Sequence, residues 1–259
     1  MDLIRLLRGI RCGGAIVVLI VASSATPAST AQPGATHADG RRLFYIGLAL
    51  YSEPWSENDV VELAGKLRTT SSYVVVPMIA SNLVAVPRRY PIADDATIAA
   101  MVRTAAEQAR ADDIVFVDIS THGAPHVLAR KAGKDPPTAL ASPELARTLA
   151  PLMGRPTVIV ISACYSGSLI NDLRAPTRII ITAARADRSS FGCAPDARHT
   201  VFGQAELHAF GRPNHSLYQV FAAIRNDVAR VERARQYTPS EPQVSVGAEM
   251  TGLYEAPLF

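Results

Sequence analysis

A histidine and a cysteine each follow a short apolar run in this sequence, and together they could form a nucleophilic dyad. His122 ends the run that begins at residue 113, and Cys164 follows the run 157–163. A cysteine thiol becomes a strong nucleophile when a neighbouring histidine takes up its proton. The same histidine can later return that proton to a leaving amine. The residue types therefore predict chemistry on a thiolate.

The apolar runs before these two residues are typical of buried parallel strands. Both are rich in β-branched residues and end at small residues. In an open α/β sheet, ligands bind at the carboxyl ends of the strands. His122 and Cys164 are therefore expected at one edge of one sheet. The backbone N–H groups of Gly123 and Cys164 could hold a developing oxyanion there.

Strand-like and helix-like segments alternate along most of the chain, which predicts a single three-layer α/β/α domain with a mostly parallel sheet. Ser56, Asp94 or Asp95, and Ser142 are expected at helix N-caps, and Pro77 places the second strand at a sheet edge. Residues 123–141 are expected to form a loop or small hairpin over the active edge. The predicted strands are 43–50, 73–78, 113–120, 157–162, 178–183 and 244–247, and the predicted helices are 56–68, 94–110, 142–154 and 215–235.

The first 31 residues have the layout of a secretory signal peptide. Three arginines precede the apolar core 15–22, and small residues follow it. Cleavage is expected after Ala31, with Ala25 as the alternative. The apolar core is short for a transmembrane helix, although an uncleaved membrane anchor stays open at this point. The mature protein is therefore expected to be exported, either periplasmic or secreted.

The composition indicates one globular domain with a sizeable core. The 259 residues are 48% hydrophobic and 19% charged, which argues against extensive disorder. Residues 1–31 carry three Arg and one Asp, so their removal lowers the formal net charge from +3 to +1. That balance leaves no basic surface for nucleic acid. Residues 32–42 are polar and predict a flexible lead-in to a domain at 43–259.

Two cysteines remain after residue 31, Cys164 and Cys193. Oxidising conditions outside the cytoplasm would permit a disulfide between them, which would remove the nucleophile, and the sequence leaves this open. The absence of a Cys-x-x-Cys pair disfavours a thiol oxidoreductase. His122 and His126 are separated by glycine and proline, which prevent the helix that would align them for zinc, so no metal is predicted. The later histidines are expected on the surface or on helix faces: His199, His208 and His215.

Two motifs resemble the catalytic motifs of the legumain-type cysteine peptidases, most closely those of the bacterial branch. They are Thr-His-Gly at 121–123 and Ser-Ala-Cys-Tyr-Ser-Gly at 162–167. Segments 181–184, 186–193 and 239–243 add to the resemblance. Caspases, gingipains and separase share the caspase-like fold of this family, so the resemblance implies that fold here.

The resemblance covers roughly residues 43–254 and implies roles for the dyad. It implies that His122 is the catalytic histidine and Cys164 the nucleophile in hydrolysis of peptide bonds through an acyl-thioester. Some relatives pass the acyl group to an amine, which gives transpeptidation. Protein or peptide substrates are implied, with no cofactor and no metal.

The sequence departs from the family at the substrate site. Animal and plant legumains carry an acidic residue two positions before the cysteine, where this chain has Ser162, so asparagine specificity is not implied. Their first strand leads to an asparagine that assists the histidine, and no residue of 50–54 is assigned that role. By analogy of fold, the loop 183–188 lines the specificity pocket. Ser162, Ala183 and Arg185 are therefore the candidate substrate-binding residues.

The leading hypothesis is an exported cysteine endopeptidase with a His122–Cys164 dyad. The alternative is a catalytically inactive caspase-like protein that binds peptides without cleaving them. The sequence indicates neither a cleavage specificity nor an oligomeric state. Phe191 is expected to fill the core.

Overall fold

A computed structural model describes residues 40–258 of the chain. These residues form a six-stranded mixed sheet with helices on both faces, together with a separate three-stranded antiparallel sheet. The predicted signal peptide and residues 32–39 of the predicted lead-in lie outside the described residues. Among the helices of residues 40–258, none combines the length and apolar character needed to cross a membrane.

Across the large sheet, the strands lie in their order along the chain, except that the first two strands are exchanged. The strands are β1 (Arg42–Ala49), β2 (Val74–Ser81), β3 (Ile114–Ser120), β4 (Gly123–Ala124), β5 (Val127–Arg130), β6 (Thr138–Ala141), β7 (Thr157–Ser162), β8 (Arg178–Thr182) and β9 (Gln243–Val246). The order in the large sheet is β2-β1-β3-β7-β8-β9, and that in the small sheet is β4-β5-β6. Only β9 runs antiparallel to its neighbour in the large sheet.

The helices divide between the two faces of the large sheet, which gives the predicted three-layer α/β/α architecture. The helices are α1 (Pro54–Thr70), α2 (Asp95–Gln108), α3 (Ser142–Thr148), α4 (Ile170–Leu173), α5 (Val201–Phe210), α6 (Leu217–Ala234) and α7 (Thr251–Glu255). Apolar residues of α1, α5, α6 and α7 pack on one face. Those of α2, α3 and α4 pack on the other.

The continuous apolar runs arise because the central strands are covered on both faces. In β1, Leu43 and Tyr45 point into the core beneath α1, whereas Phe44 and Ile46 point into the core beneath α2. All seven residues of β3 are buried. A strand with two buried faces needs apolar residues at every position rather than at alternate ones.

Of the three predicted N-caps, Asp94 is correct, whereas Ser56 and Ser142 are wrong. Ser142 is the first residue of α3, and Ala141 occupies the N-cap position. The side chain of Asp94 accepts a hydrogen bond from the Thr97 N–H at 2.8 Å and caps α2 as expected. Ser56 is not an N-cap, because α1 already begins at Pro54. The Ser56 hydroxyl instead donates to the carbonyl of Ser120 in β3 at 2.6 Å. A polar residue at the start of this helix thus serves a tertiary contact.

Other elements show similar partial agreement. Strand β2 lies at the sheet edge and Pro77 is exposed, as predicted. Helix α3 ends at Thr148 and is followed by a 3₁₀ turn at Ala150–Leu152, so the predicted helix was too long. Helix α5 was not predicted. Residues 123–141 contain the small antiparallel sheet, which agrees with the small hairpin that was one of the two predicted forms.

Candidate active site

The large sheet brings His122 and Cys164 to the same edge. Strands β3 and β7 are parallel neighbours in which Ser120 is paired with Ser162. The N–H of Thr121 continues this pairing and donates to the Ser162 carbonyl at 3.0 Å. His122 and Cys164 each lie two residues beyond the paired serines. The register therefore delivers them to neighbouring positions.

Gly123 packs directly on the backbone of Cys164. A Cβ atom built on Gly123 would lie 2.3 Å from the Cys164 carbonyl oxygen and 3.1 Å from Ala163 Cβ. These distances leave no room for a side chain, so this close approach requires glycine. The small sheet holds the same segment from the other side, because the Ala129 N–H donates to the His122 carbonyl at 2.9 Å.

The chain turns sharply after the cysteine. Tyr165 takes up the left-handed conformation, with φ 57° and ψ 15°, and a 3₁₀ helix follows at Ser166–Leu169. Gly167 is needed for close approach, since a Cβ there would lie 2.8 Å from the Ala184 carbonyl oxygen. The helical structure after Cys164 consists only of this turn and the four-residue α4. Its electrostatic effect on Cys164 is therefore small.

The Cys164 sulfur lies against the backbone of Ser190. The Ser190 N–H donates to Sγ at 3.3 Å, and the thiol lies 3.4 Å from the Ser190 carbonyl oxygen. The Cys164 N–H has no acceptor in the part of the chain that the structure describes. This group is therefore available to stabilise an oxyanion.

His122 is enclosed by two aromatic side chains. Its ring centroid lies 4.4 Å from that of Tyr51 and 5.1 Å from that of Trp55, at interplanar angles of 84° and 80°. Burial lowers the pKa of His122; the negative charge of Glu53 acts against this, and the positive charge of Lys131 adds to it. The imidazole is thus neutral around pH 7 and can accept a proton.

Two of the three candidate substrate-binding residues are buried. Ser162 is 2% exposed, and its hydroxyl lies 3.0 Å from that of Thr200. Ala183 is 0% exposed and belongs to the core beneath α5 and α6. Neither side chain is exposed enough to contact a substrate, so the structure corrects the prediction that these two side chains bind it. Fold analogy did not indicate which side chains of the loop 183–188 face outward.

The third candidate, Arg185, is partly exposed and already paired. Its guanidinium lies 2.6 Å from Asp187 and 2.5 Å from Glu241. Its backbone N–H donates to the Ser240 carbonyl at 2.9 Å. These contacts tie the loop after β8 to the segment before β9. Arg185 therefore stabilises the rim of the site in this conformation.

A buried polar network below the site was not predicted. Asp59 of α1 accepts hydrogen bonds from the hydroxyls of Ser120 and Thr200, each at 2.9 Å, and lies 3.0 Å from His199 Nδ1. The prediction that His199 is a surface residue is wrong, since its side chain is 4% exposed. Burial raises the pKa of Asp59, although these hydrogen bonds act against the rise. The partners are distant in sequence, so no local pattern could reveal the network.

Two further carboxyl groups are buried close to Asp59. The hydroxyl of Tyr45 donates to Asp118 at 2.5 Å, and burial raises the pKa of Asp118 to about 7. Burial also raises the pKa of Glu206, with the charges of Asp118 and Asp59 adding to the effect. Protonation of these acids avoids several like charges in one dry interior.

A cavity of about 880 Å³ lies between the segment 190–201 and helices α5 and α6. Phe191 does not fill the core but lines this cavity and stacks on Tyr237 at 4.3 Å. Cys193 also lines it, and both Cys193 and Cys164 are free thiols. Burial raises the pKa of Cys193, and the charge of Cys164 raises it further. Within residues 40–258, no group of three or more His, Cys, Asp or Glu side chains could hold a metal ion.

Comparison with known families decides which proteins share this arrangement. The model of the peptidase C13 family matches residues 94–252, more than half of the chain and a span that contains both His122 and Cys164. The chain belongs to the peptidase C13 family. This is the legumain family that the motifs resembled, and its members are cysteine-type peptidases that act on proteins.

The solved structures place this C13 family member in the caspase-like fold. Caspase-1 from Spodoptera frugiperda matches with a TM-score of 0.53 and 17% identity, over 80% of this chain and 86% of the caspase chain. At this identity the likeness shows the fold alone. No curated protein matches the sequence.

Proposed function

We propose that this C13 family member is a cysteine endopeptidase in which Cys164 is the nucleophile and His122 the general acid and base. The contact between Gly123 and the Cys164 backbone carries the proposal, because it joins the His-Gly and Cys motifs at the carboxyl edge of the sheet. The predicted signal peptide at 1–31 supports action outside the cytoplasm.

The first half of the reaction forms an acyl-enzyme. His122 takes the thiol proton of Cys164, and Sγ attacks the carbonyl carbon of the scissile peptide bond. The backbone N–H groups of Gly123 and Cys164 stabilise the oxyanion of the tetrahedral intermediate. Collapse of this intermediate breaks the C–N bond, and protonated His122 transfers its proton to the leaving amine.

The second half releases the acyl group. His122 takes a proton from water, which attacks the thioester carbonyl carbon, and the proton returns to the sulfur as the C–S bond breaks. An amine in place of water would give a new peptide bond. The balance between these outcomes depends on access of water to the thioester.

Alkylation of the full-length chain with iodoacetamide tests the dyad. We expect Cys164 to react rapidly near pH 7, and we expect the His122→Ala variant to lose that reactivity. Mass spectrometry of the digested protein separates Cys164 from Cys193. Slow labelling of Cys164 that does not depend on His122 would favour the catalytically inactive peptide-binding alternative.

Cleavage of an unfolded protein tests the endopeptidase activity itself. We expect the wild-type chain to release internal fragments, whereas Cys164→Ala and His122→Ala release none. Gly65→Ala is a suitable folded control, because a Cβ there meets nothing within 4 Å. Fragments released equally by Cys164→Ala would refute the proposal.

A further inference from the structure

Among the residues that the structure describes, the ring of the proposed catalytic histidine has no hydrogen-bonding partner. Legumain-type peptidases place an assisting asparagine after the first strand, where this chain has residues 50–54. Within residues 40–258, neither ring nitrogen of His122 hydrogen-bonds to a protein atom, and no hydrogen bond contributes to its pKa. His199, by contrast, is held by Asp59. His122 must therefore be oriented by another kind of contact.

Two aromatic rings supply that contact. Tyr51 and Trp55 lie between β1 and the first turn of α1, and their planes differ by only 17° at a centroid distance of 6.4 Å. The ring of His122 meets both planes nearly at right angles. Edge-to-face geometry is favourable between aromatic rings because of their quadrupoles. The orientation of the imidazole plane is thus fixed by two aromatic rings that are nearly parallel to each other.

Trp55 is fully buried and cannot turn away from the histidine. It is 0% exposed, and its indole N–H has no acceptor within the described part of the chain. A buried donor without a partner is rare in native proteins and calls for an explanation. Support of the His122 ring explains why a large side chain with an unmet donor occupies this position.

Two opposite charges act on the same ring. Glu53 occupies the N-cap position of α1, but its side chain makes no capping hydrogen bond. Glu53 lies between Tyr51 and Trp55, whose rings both contact His122. From this position its negative charge favours the protonated form of His122, and the positive charge of Lys131 opposes that form. The Lys131 ammonium lies 5.4 Å from the centroid of the Tyr51 ring. The stability of the imidazolium therefore depends on a balance between these two side chains.

We propose that residues 51–55 position His122: Tyr51 and Trp55 hold the imidazole plane, and Glu53 stabilises the imidazolium that forms when Cys164 loses its proton. This inference rests on the proposed dyad. None of the three side chains needs to touch the reacting atoms, so they are positioning residues. They take the place of the asparagine that assists the histidine in animal and plant legumains.

The pH dependence of Cys164 alkylation tests the charge balance in the full-length chain. Alkylation requires the Cys164 thiolate, and His122 must hold the proton that the thiol releases, so the alkylation rate reports how well the imidazolium is stabilised. We expect Glu53→Gln to slow alkylation by roughly three- to tenfold and Lys131→Gln to accelerate it by a similar factor. Glu57→Gln, one turn further along α1, is the matched control and should leave the rate unchanged.

The ring contact is tested at Tyr51, which is only half-buried and tolerates truncation. We expect Tyr51→Leu to slow alkylation by roughly tenfold at pH 6–7, whereas Tyr51→Phe keeps the ring and the wild-type rate. Tyr218→Leu removes a comparable aromatic contact, to Tyr254 at 5.9 Å and 85°, and serves as the control. Far-ultraviolet circular dichroism verifies that each variant is folded.

The outcomes separate the positioning role from the dyad. The role of the charges is overturned if Glu53→Gln and Lys131→Gln change the alkylation rate in the same direction. It is also overturned if neither variant changes that rate. Equal rates in Tyr51→Leu and Tyr51→Phe overturn the role of the ring. If His122→Ala labels as fast as wild type, the dyad itself is wrong, and the positioning role falls with it.

Discussion

Gly123 and Cys164 are in direct backbone contact at the carboxyl edge of the sheet. A methyl group on Gly123 would lie 2.3 Å from the carbonyl oxygen of Cys164. The contact keeps two proposed oxyanion donors side by side, on the segments that also carry the dyad. A small change in this contact should therefore disturb both stability and reactivity.

Gly123→Ala is expected to lower the free energy of unfolding by about 1–3 kcal/mol, because the added methyl must displace backbone. It should also slow alkylation of Cys164. Urea unfolding and timed labelling measure the two effects. In the exposed interior of α1, Gly65→Ala meets no atom within 4 Å and should stabilise the protein by up to about 1 kcal/mol. Similar results for the two variants would contradict the importance of the contact.

Cys193 should react with iodoacetamide more slowly than Cys164 at pH 7. Its thiol pKa is raised by burial and by Cys164, so little thiolate is present at neutral pH. We expect its labelling rate to rise steeply above pH 9. Labelling in denaturant, where the two thiols should be equivalent, provides the control. Faster reaction of Cys193 in the folded protein would reverse the proposed roles.

The protein should be more stable in mild acid than in mild alkali. Asp118 ionises at about pH 7 in the folded chain and near pH 3.9 when unfolded. Between these values the folded state holds a proton that the unfolded state releases, so the free energy of unfolding falls as pH rises from about 4 to 7. We expect the unfolding temperature to be several degrees higher at pH 5 than at pH 8.

Asp118→Asn should flatten this pH dependence, because the amide does not ionise. Exposed Asp112 is the matched position, and Asp112→Asn should follow the wild-type curve. Parallel curves for wild type and Asp118→Asn would show that another buried acid dominates.

His199→Ala should destabilise the fold by about 1–3 kcal/mol, since it removes one of the three side chains that hydrogen-bond to buried Asp59. His208 is half-exposed and pairs with Asp227 at the surface, so His208→Ala should cost less than about 1 kcal/mol. Urea unfolding of the two variants makes the comparison. Equal losses would argue against a structural role for the Asp59 network.

The Arg185→Gln substitution should not change the preference of the enzyme between acidic and neutral peptides. The guanidinium is already paired with Asp187 and Glu241. We expect kcat/KM to fall by the same factor for matched peptides with an acidic or a neutral side chain before the scissile bond. A loss confined to the acidic peptide would show instead that Arg185 binds substrate.

Local patterns in the sequence were sufficient for much of the framework. Apolar runs bounded by glycine and proline located the central strands, and Asp94 marked the start of α2. These features depend on residues that are near one another in the chain, so they can be recognised from the sequence alone. The same runs led to His122 and Cys164, because strand ends in parallel sheets converge on one edge.

The surroundings of the dyad were decided by tertiary structure. Ser162 and Ala183 are buried by helices more than fifteen residues away in sequence, and His199 meets Asp59 across 140 residues. The aromatic support of His122 joins a turn after β1 to the end of β3. Such contacts follow from sheet order and register, which no local pattern encodes. The sequence thus determined which residues could do chemistry, and only the folded chain decided what surrounds them.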